Sequence, residues 1–127
     1  MKLYELHIER SPDTPEVKFT SMESRLSITG RSLPEDAHAF YKPLIEWANA
    51  QSEFYTERQL TIHFELDYFN SSSGRYLLEF LSTLERNLRP NTKAEIQWYV
   101  DKDDELMIEK GEEFQQLIEL PFEIKFL

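Results

Sequence analysis

Hydrophobic and polar residues alternate along six stretches of the chain, a period of two that is typical of strands with one buried face. The longest such stretch runs from Leu60 to Tyr68. We predict strands at residues 4–8, 17–19, 26–30, 60–68, 94–100 and 122–126. The proline-containing segment 11–15 ends the first strand, and the second and third form a hairpin around residues 21–24.

Three other stretches carry apolar residues at the spacing of an amphipathic helix. The first follows a capping box with proline in its first turn, Ser32-Leu33-Pro34-Glu35, and contains Pro43, which we expect to kink it. The second spans residues 76–88. The third opens at the acidic run 101–105, is weakened by Gly111 and ends before Pro121. Its predicted buried side chains are Leu106, Met107, Phe114, Leu117 and Ile118.

The resulting order, β-β-β-α-β-α-β-α-β, predicts an α/β fold with a mixed sheet of about six strands and three main helices. The later strands are joined through helices, so we expect them to run parallel by right-handed crossovers. A length of 127 residues with 40% hydrophobic content suits a single domain covering residues 1–127.

The period changes from two to that of a helix at Asn70-Ser71-Ser72-Ser73. With Ser71 or Ser72 as the N-cap, no acidic side chain occupies the first turn of the helix, and Arg75 lies nearby. A helix start presents unpaired backbone N–H groups, so a phosphate on one of the three hydroxyls could be accommodated there. The alternative is that these serines only cap the helix.

The charge balance limits the partners of the protein. A formal net charge of −10 and a pI near 4.7 argue against nucleic acid or an anionic membrane and favour a basic patch on another protein. The chain has no cysteine, which excludes disulfides, thiol nucleophiles and thiolate metal sites. The sequence has no stretch of transmembrane length and no signal-peptide pattern, so we expect a cytoplasmic protein.

Other candidate sites have weaker support. The acids of residues 101–112 imitate a calcium loop, but Leu106 stands where that loop needs glycine, so we predict no metal. Ser71, His63 and Asp67 come from one strand and its exit and do not converge as a catalytic triad. The histidines lack metal-pair spacing, and nucleotide-binding glycine motifs are absent. We therefore predict a protein that is not an enzyme and has no cofactor, with a small hydrolase as an alternative.

The segments 30–35, 40–44, 66–73, 96–99 and 121–122 resemble the SiaC-type bacterial regulatory phosphoproteins. The most specific piece is Tyr68-Phe69-Asn70-Ser71-Ser72-Ser73, which is similar to the family motif (Tyr/Leu)-(Phe/Leu)-Asn-(Thr/Ser)-Ser-Ser. The resemblance runs over nearly the whole chain. It implies a STAS-like fold and the partner-switching logic of anti-sigma-factor antagonists.

In such a switch, a dedicated serine/threonine kinase phosphorylates the hydroxyl residue after the motif asparagine, and a PP2C-type phosphatase removes the phosphate. The unphosphorylated form binds and activates a diguanylate cyclase or similar effector, and so controls cyclic di-GMP and biofilm formation. By position, the resemblance makes Ser71 the phosphoacceptor, where the best-known pattern has threonine, with Ser72 and Ser73 as alternatives. The expected partner contacts are Tyr68, Phe69, Asn70, Ser72 and Arg75. The residues alone also allow an acidic protein–protein interaction module without phosphoregulation.

Overall fold

The computed structural model describes residues 5–54 and 57–127, and within them six strands and three α-helices follow the predicted order. The strands are β1 (His7–Ile8), β2 (Glu16–Thr20), β3 (Arg25–Ser32), β4 (Arg58–Phe69), β5 (Thr92–Val100) and β6 (Phe122–Phe126). The helices are α1 (Ala37–Ala50), α2 (Ser71–Asn87) and α3 (Glu105–Leu117), with a short 3-10 helix, Gln51–Glu53, after α1. Tyr4, in the predicted first strand, lies outside the described residues.

All six strands form one mixed sheet in chain order. The pairs β1–β2 and β2–β3 are antiparallel, whereas β3–β4, β4–β5 and β5–β6 are parallel. This pattern confirms the predicted α/β fold, because each parallel connection passes through a helix.

The helices cover one face of the sheet. Along β4, the side chains of Leu60, Ile62, Phe64 and Leu66 are buried, while the alternate positions are partly exposed. On the covered face, α1 and α2 pack on each other and contribute Leu44, Trp47, Leu77, Phe80 and Leu84 to the core. The opposite face of the sheet is not covered by helices and carries polar side chains such as His63 and Glu65. A binding site can therefore lie at the strand ends or on this open face.

The predicted start of the first helix is wrong. Ser32 is the last residue of β3 and is fully buried, and the N-cap of α1 is Asp36, whose Oδ1 accepts a hydrogen bond from the Ala39 N–H at 3.1 Å. Ser32 stays in the sheet because it pairs with Phe69 of β4. The helix then runs through Pro43, as the pattern predicted.

The buried side of α3 is narrower than predicted. Met107, Phe114 and Ile118 are buried, but Leu106 is 48% exposed and Leu117 is 62% exposed, so the prediction for these two leucines is wrong. The acidic run does open this helix, since Asp104 caps it by accepting the Met107 N–H at 3.2 Å.

The end of β4 contains an irregularity that changes which side chains are buried. Gly30 pairs with Leu66 and Arg31 pairs with Tyr68, so Asp67 is an extra residue on β4, as in a β-bulge. After the bulge the alternation is inverted. Phe69 is buried at 2% exposure, and Tyr68, which an uninterrupted alternation from Leu60 would have buried, is 38% exposed.

Candidate functional site

The turn from β4 to α2 is closed by Asn70. Its Oδ1 accepts a hydrogen bond from the Ser73 N–H at 2.9 Å, and its backbone is extended, so Asn70 is the N-cap of α2. The prediction that Ser71 or Ser72 caps this helix is therefore wrong. Asn caps helices as well as Ser does, and here it is the first residue after the strand, so the helix begins one residue earlier than a Ser71 cap implies and two earlier than a Ser72 cap implies.

Ser73 is fixed in the interior by a chain of hydroxyl groups. It is fully buried, its hydroxyl donates to the Ser32 carbonyl oxygen at 3.0 Å, and its Oγ accepts from the Ser32 hydroxyl at 2.8 Å. The Tyr41 hydroxyl lies 2.5 Å from Ser32 Oγ and must be the donor there, because the Ser32 proton is already directed at Ser73.

Burial raises the pKa of Tyr41 to about 12, and its hydrogen bonds to Ser32 and Ser73 offset only part of that effect. Tyr41 therefore stays a neutral donor at physiological pH. The network ties the end of β3 to α1 and to the first turn of α2, and it leaves Ser73 inaccessible to another protein.

Ser71 and Ser72 are both exposed, but only Ser71 lines a groove between α2 and α3. The groove has a volume of about 340 Å³. Its lining residues are Phe69, Ser71, Gly74, Arg75, Leu78, Lys110, Glu113, Phe114 and Leu117. The position of Ser71 on this lining distinguishes it from its two serine neighbours.

Aromatic rings form the floor of the groove. The rings of Phe69 and Phe114 are stacked with centroids 6.0 Å apart, and Trp98 meets both edge-on behind them. Gly74 allows α2 to lie close to this floor, because a Cβ there would be 3.0 Å from Phe69 Cε2. Leu117 stands at the rim, so an apolar surface is open to solvent beside Ser71.

Two cations line the same groove. Lys110 Nζ lies 4.9 Å from the centroid of the Phe69 ring, and the Arg75 guanidinium lies 5.7 Å from that of Tyr76. Among residues 5–54 and 57–127, neither cation forms a salt bridge within 4.0 Å, although Glu113 also lines the groove. The sequence pattern indicates Arg75 but not Lys110, which lies 35 residues after Arg75 in the chain and reaches the groove only through the packing of α3.

The histidine of the conceivable catalytic triad belongs to a different surface. His63 lies on the open face of the sheet, where Nδ1 is 3.1 Å from Arg25 Nη1 and Nε2 is 3.4 Å from Glu65 Oε1. Because Arg can only donate, Nδ1 accepts and Nε2 carries the proton. Burial lowers the pKa of His63, and Arg25 adds to this effect while Glu65 opposes it. Partial burial is therefore the main reason that His63 is neutral at physiological pH, and His63 does not line the groove.

The first acidic residues of the run that imitates a calcium loop lie at the start of α3, and one of them caps it. Asp101 Oδ1 accepts from the Asp103 N–H at 2.8 Å, and Asp104 is the N-cap of α3. In the described part of the chain, no group of three or more His, Cys, Asp or Glu side chains is placed to hold a metal ion. No helix within residues 5–54 and 57–127 is long and apolar enough to cross a membrane.

The fold and the groove define an α/β domain in which exposed Ser71, at a helix start, lines a groove with an aromatic floor. Residues 8–127 match the model of the SiaC family regulatory phosphoproteins, so the chain belongs to this family. It is 28% identical over 123 residues to an uncharacterised protein of Pseudomonas aeruginosa strain UCBPP-PA14, covering 95% of both chains.

Two solved Pseudomonas aeruginosa structures are similar over nearly their whole length. The crystal structure of apo-SiaC has a TM-score of 0.84 and 27% identity, covering 95% of this chain and 98% of the other. A chain in the crystal structure of the diguanylate cyclase SiaD in complex with its activator SiaC has a TM-score of 0.86 and 28% identity, covering 97% of this chain and 100% of the other.

Proposed function

We propose that the protein is a non-enzymatic, cytoplasmic signalling phosphoprotein, formed by one domain over residues 1–127, whose partner binding is switched by phosphorylation of Ser71. A dedicated serine/threonine kinase adds the phosphate, and a PP2C-type phosphatase removes it. The unphosphorylated form binds and activates a diguanylate cyclase. The cyclase is proposed because SiaC, to which this chain is similar, forms a complex with the diguanylate cyclase SiaD as its activator.

The observation that supports this proposal most directly is the difference among the three serines. Ser73 is buried in a hydroxyl network, and Ser72 is exposed but does not line the groove. Ser71 alone is both exposed and part of the groove lining. A kinase can therefore reach Ser71, and a phosphate there stands where a partner would dock.

The partner surface that we propose is the groove together with the turn before it. Phe69 supplies the floor rather than an exposed contact, while Tyr68 at the end of β4 and Ser72 in the first turn of α2 are exposed, and Arg75 lines the groove. Asn70 acts by capping α2 and so by positioning Ser71. A phosphate adds about −1.5 to −2 charges next to an apolar cleft, and an apolar partner could not cover it without a large desolvation cost.

The alternative is an acidic interaction module without phosphoregulation. Under this alternative, Ser71 was expected only to cap α2, but the cap is Asn70. Helix capping therefore does not explain why a serine hydroxyl group lies in the groove at position 71. The alternative keeps the groove as a docking surface and differs from the switch only in its response to phosphate.

The test is a binding measurement with a purified diguanylate cyclase of the same host. Phosphoserine is installed during translation at position 71 or, as the matched control, at position 72, and affinity is measured by calorimetry with cyclic di-GMP formation as the second readout. Covering a phosphate with an apolar partner surface costs several kcal/mol of desolvation, so we expect phosphoserine 71 to weaken binding by about 100-fold, or about 2.7 kcal/mol. Phosphoserine 72 and Ser71→Ala should bind like the unmodified chain.

Equal affinities of the two phosphorylated forms would show that the groove is not the switch. Tight binding by every form, with cyclase activation unchanged, would favour the interaction module without phosphoregulation. Loss of binding in Ser71→Ala would instead make the hydroxyl itself a required contact.

A further inference from the structure

Arg75 and Lys110 are the two cations that line the groove beside Ser71. The chain has 24 acidic residues against 14 Lys and Arg, yet these two cations line the groove without a carboxylate oxygen within 4.0 Å among the described residues. They come from opposite walls, Arg75 from α2 and Lys110 from α3. The local charge at this groove is therefore positive, although the protein as a whole is strongly negative.

The geometry points to Arg75 and Lys110 as a built-in receptor that holds the phosphate on Ser71 inside the groove, so that the phosphate group plugs the docking surface. This inference rests on the proposed phosphorylation of Ser71. It changes the mechanism of the switch, because the phosphate covers the groove as well as repelling a partner.

The placement of the two cations supports such a receptor. Arg75 follows Ser71 by four residues on α2, the spacing at which side chains of a helix meet on one face. Lys110 extends over Phe69, which precedes Ser71 by two residues and forms the floor of the same groove. A phosphate on Ser71 is thus approached from both walls.

Both cations have a better partner in the phosphate than in their present contacts. Lys110 now faces an aromatic ring and Arg75 lies near another, and such contacts at partly exposed sites are weaker than charge-assisted hydrogen bonds to phosphate oxygens. The acid that also lines the groove, Glu113 of α3, opposes the phosphate by repulsion and competes for the same cations. The lining of the groove therefore carries two positive charges and one negative charge, and its net charge favours binding of a phosphate.

The experiment measures the second pKa of phosphoserine 71 by ³¹P NMR titration in the full chain, with the phosphoserine installed during translation. An unperturbed phosphate monoester has a second pKa of about 6. Two cations should lower it by roughly 0.5 unit or more, and Lys110→Gln and Arg75→Gln should each raise it again by roughly 0.3 unit. The matched control is Lys93→Gln, which removes an exposed cation at the start of β5.

A second pKa near 6 in the wild-type phosphoprotein, left unchanged by both substitutions, would overturn the receptor. An equal rise of the phosphoserine pKa in Lys93→Gln would show a general effect of net charge and would also overturn the receptor. The two groove variants test the inference separately, so misfolding of one leaves the other to decide. Because no kinase or cyclase is involved, a failed receptor is distinguishable from a failed switch, which would appear only in the binding measurement.

Discussion

Gly111 lies in the middle of α3, where the helix touches the buried indole of Trp98. A Cβ at this position would stand 2.7 Å from Trp98 Cδ1 and from Nε1, closer than side chains pack. The indole cannot easily retreat, because its N–H donates to the Met107 carbonyl oxygen at 3.0 Å and its ring is 1% exposed. Gly111→Ala should therefore overpack the core.

The expected size of this effect follows from two opposing terms. Helix propensity alone would make Gly111→Ala stabilising by about 1 kcal/mol. Overpacking of a filled core costs about 1–3 kcal/mol. We expect a net loss of about 1 kcal/mol in the free energy of unfolding, measured by urea denaturation followed by tryptophan fluorescence, with an unchanged m-value.

The neighbouring exposed residue provides the control for propensity. Glu112→Ala and Glu112→Gly should differ by about 1 kcal/mol in favour of alanine, since the side chain of Glu112 faces solvent. If Gly111→Ala gained stability by the same amount, the close contact between α3 and Trp98 would be wrong and the glycine would be only a weak point in the helix.

Three further predictions concern the turn, the hydroxyl network and the open face of the sheet. Asn70→Ala should lose about 1 kcal/mol of stability as the true cap, and Ser71→Ala less than about 0.5 kcal/mol, in thermal denaturation; the reverse order would restore Ser71 as the cap. Tyr41→Phe should lose about 0.5–1.5 kcal/mol in urea denaturation, because Ser32 Oγ loses its donor; no loss would remove Tyr41 from the network. Because the pKa of His63 is lowered from 6.5, the unfolded chain takes up that proton first as the pH falls. The stability contributed by neutral His63 is full above about pH 6.5 and declines below it, and His63→Gln should flatten that decline in urea denaturation between pH 8 and 5; an unchanged slope would refute the assignment.

The order of strands and helices could be predicted because hydrophobic residues repeat every second position in each long strand and at helical spacing in each helix. Leu60 to Leu66 alternate without interruption, and burial follows that alternation residue by residue. The start of α1 could not be predicted in this way, since Ser32 and Asp36 both fit a local capping rule. The pairing of Ser32 with Phe69 and its hydroxyl contacts decide between them, and both are contacts between distant parts of the chain.

The strand-to-helix junction that carries Ser71 was predictable in its location, but the surroundings of Ser71 were not. The change of period placed the junction at residues 70–73, and β4 ends at Phe69 while α2 begins at Ser71. The groove depends on α3 returning beside α2, which no local pattern reveals. For the same reason Leu117 counted as a core residue from its spacing, whereas it lies at the rim of the groove.

The bulge at Asp67 connects the fold to the site. In a regular strand, the alternation that buries Leu66 would also bury Tyr68 and turn Phe69 to the open face of the sheet. The extra residue inverts this order, so the ring of Phe69 points under α2 and α3, where it stacks on Phe114 and lies beneath Lys110. The bulge at Asp67 interrupts the alternation of β4 just before α2 begins, and this interruption places the ring of Phe69 in the floor of the groove beside Ser71.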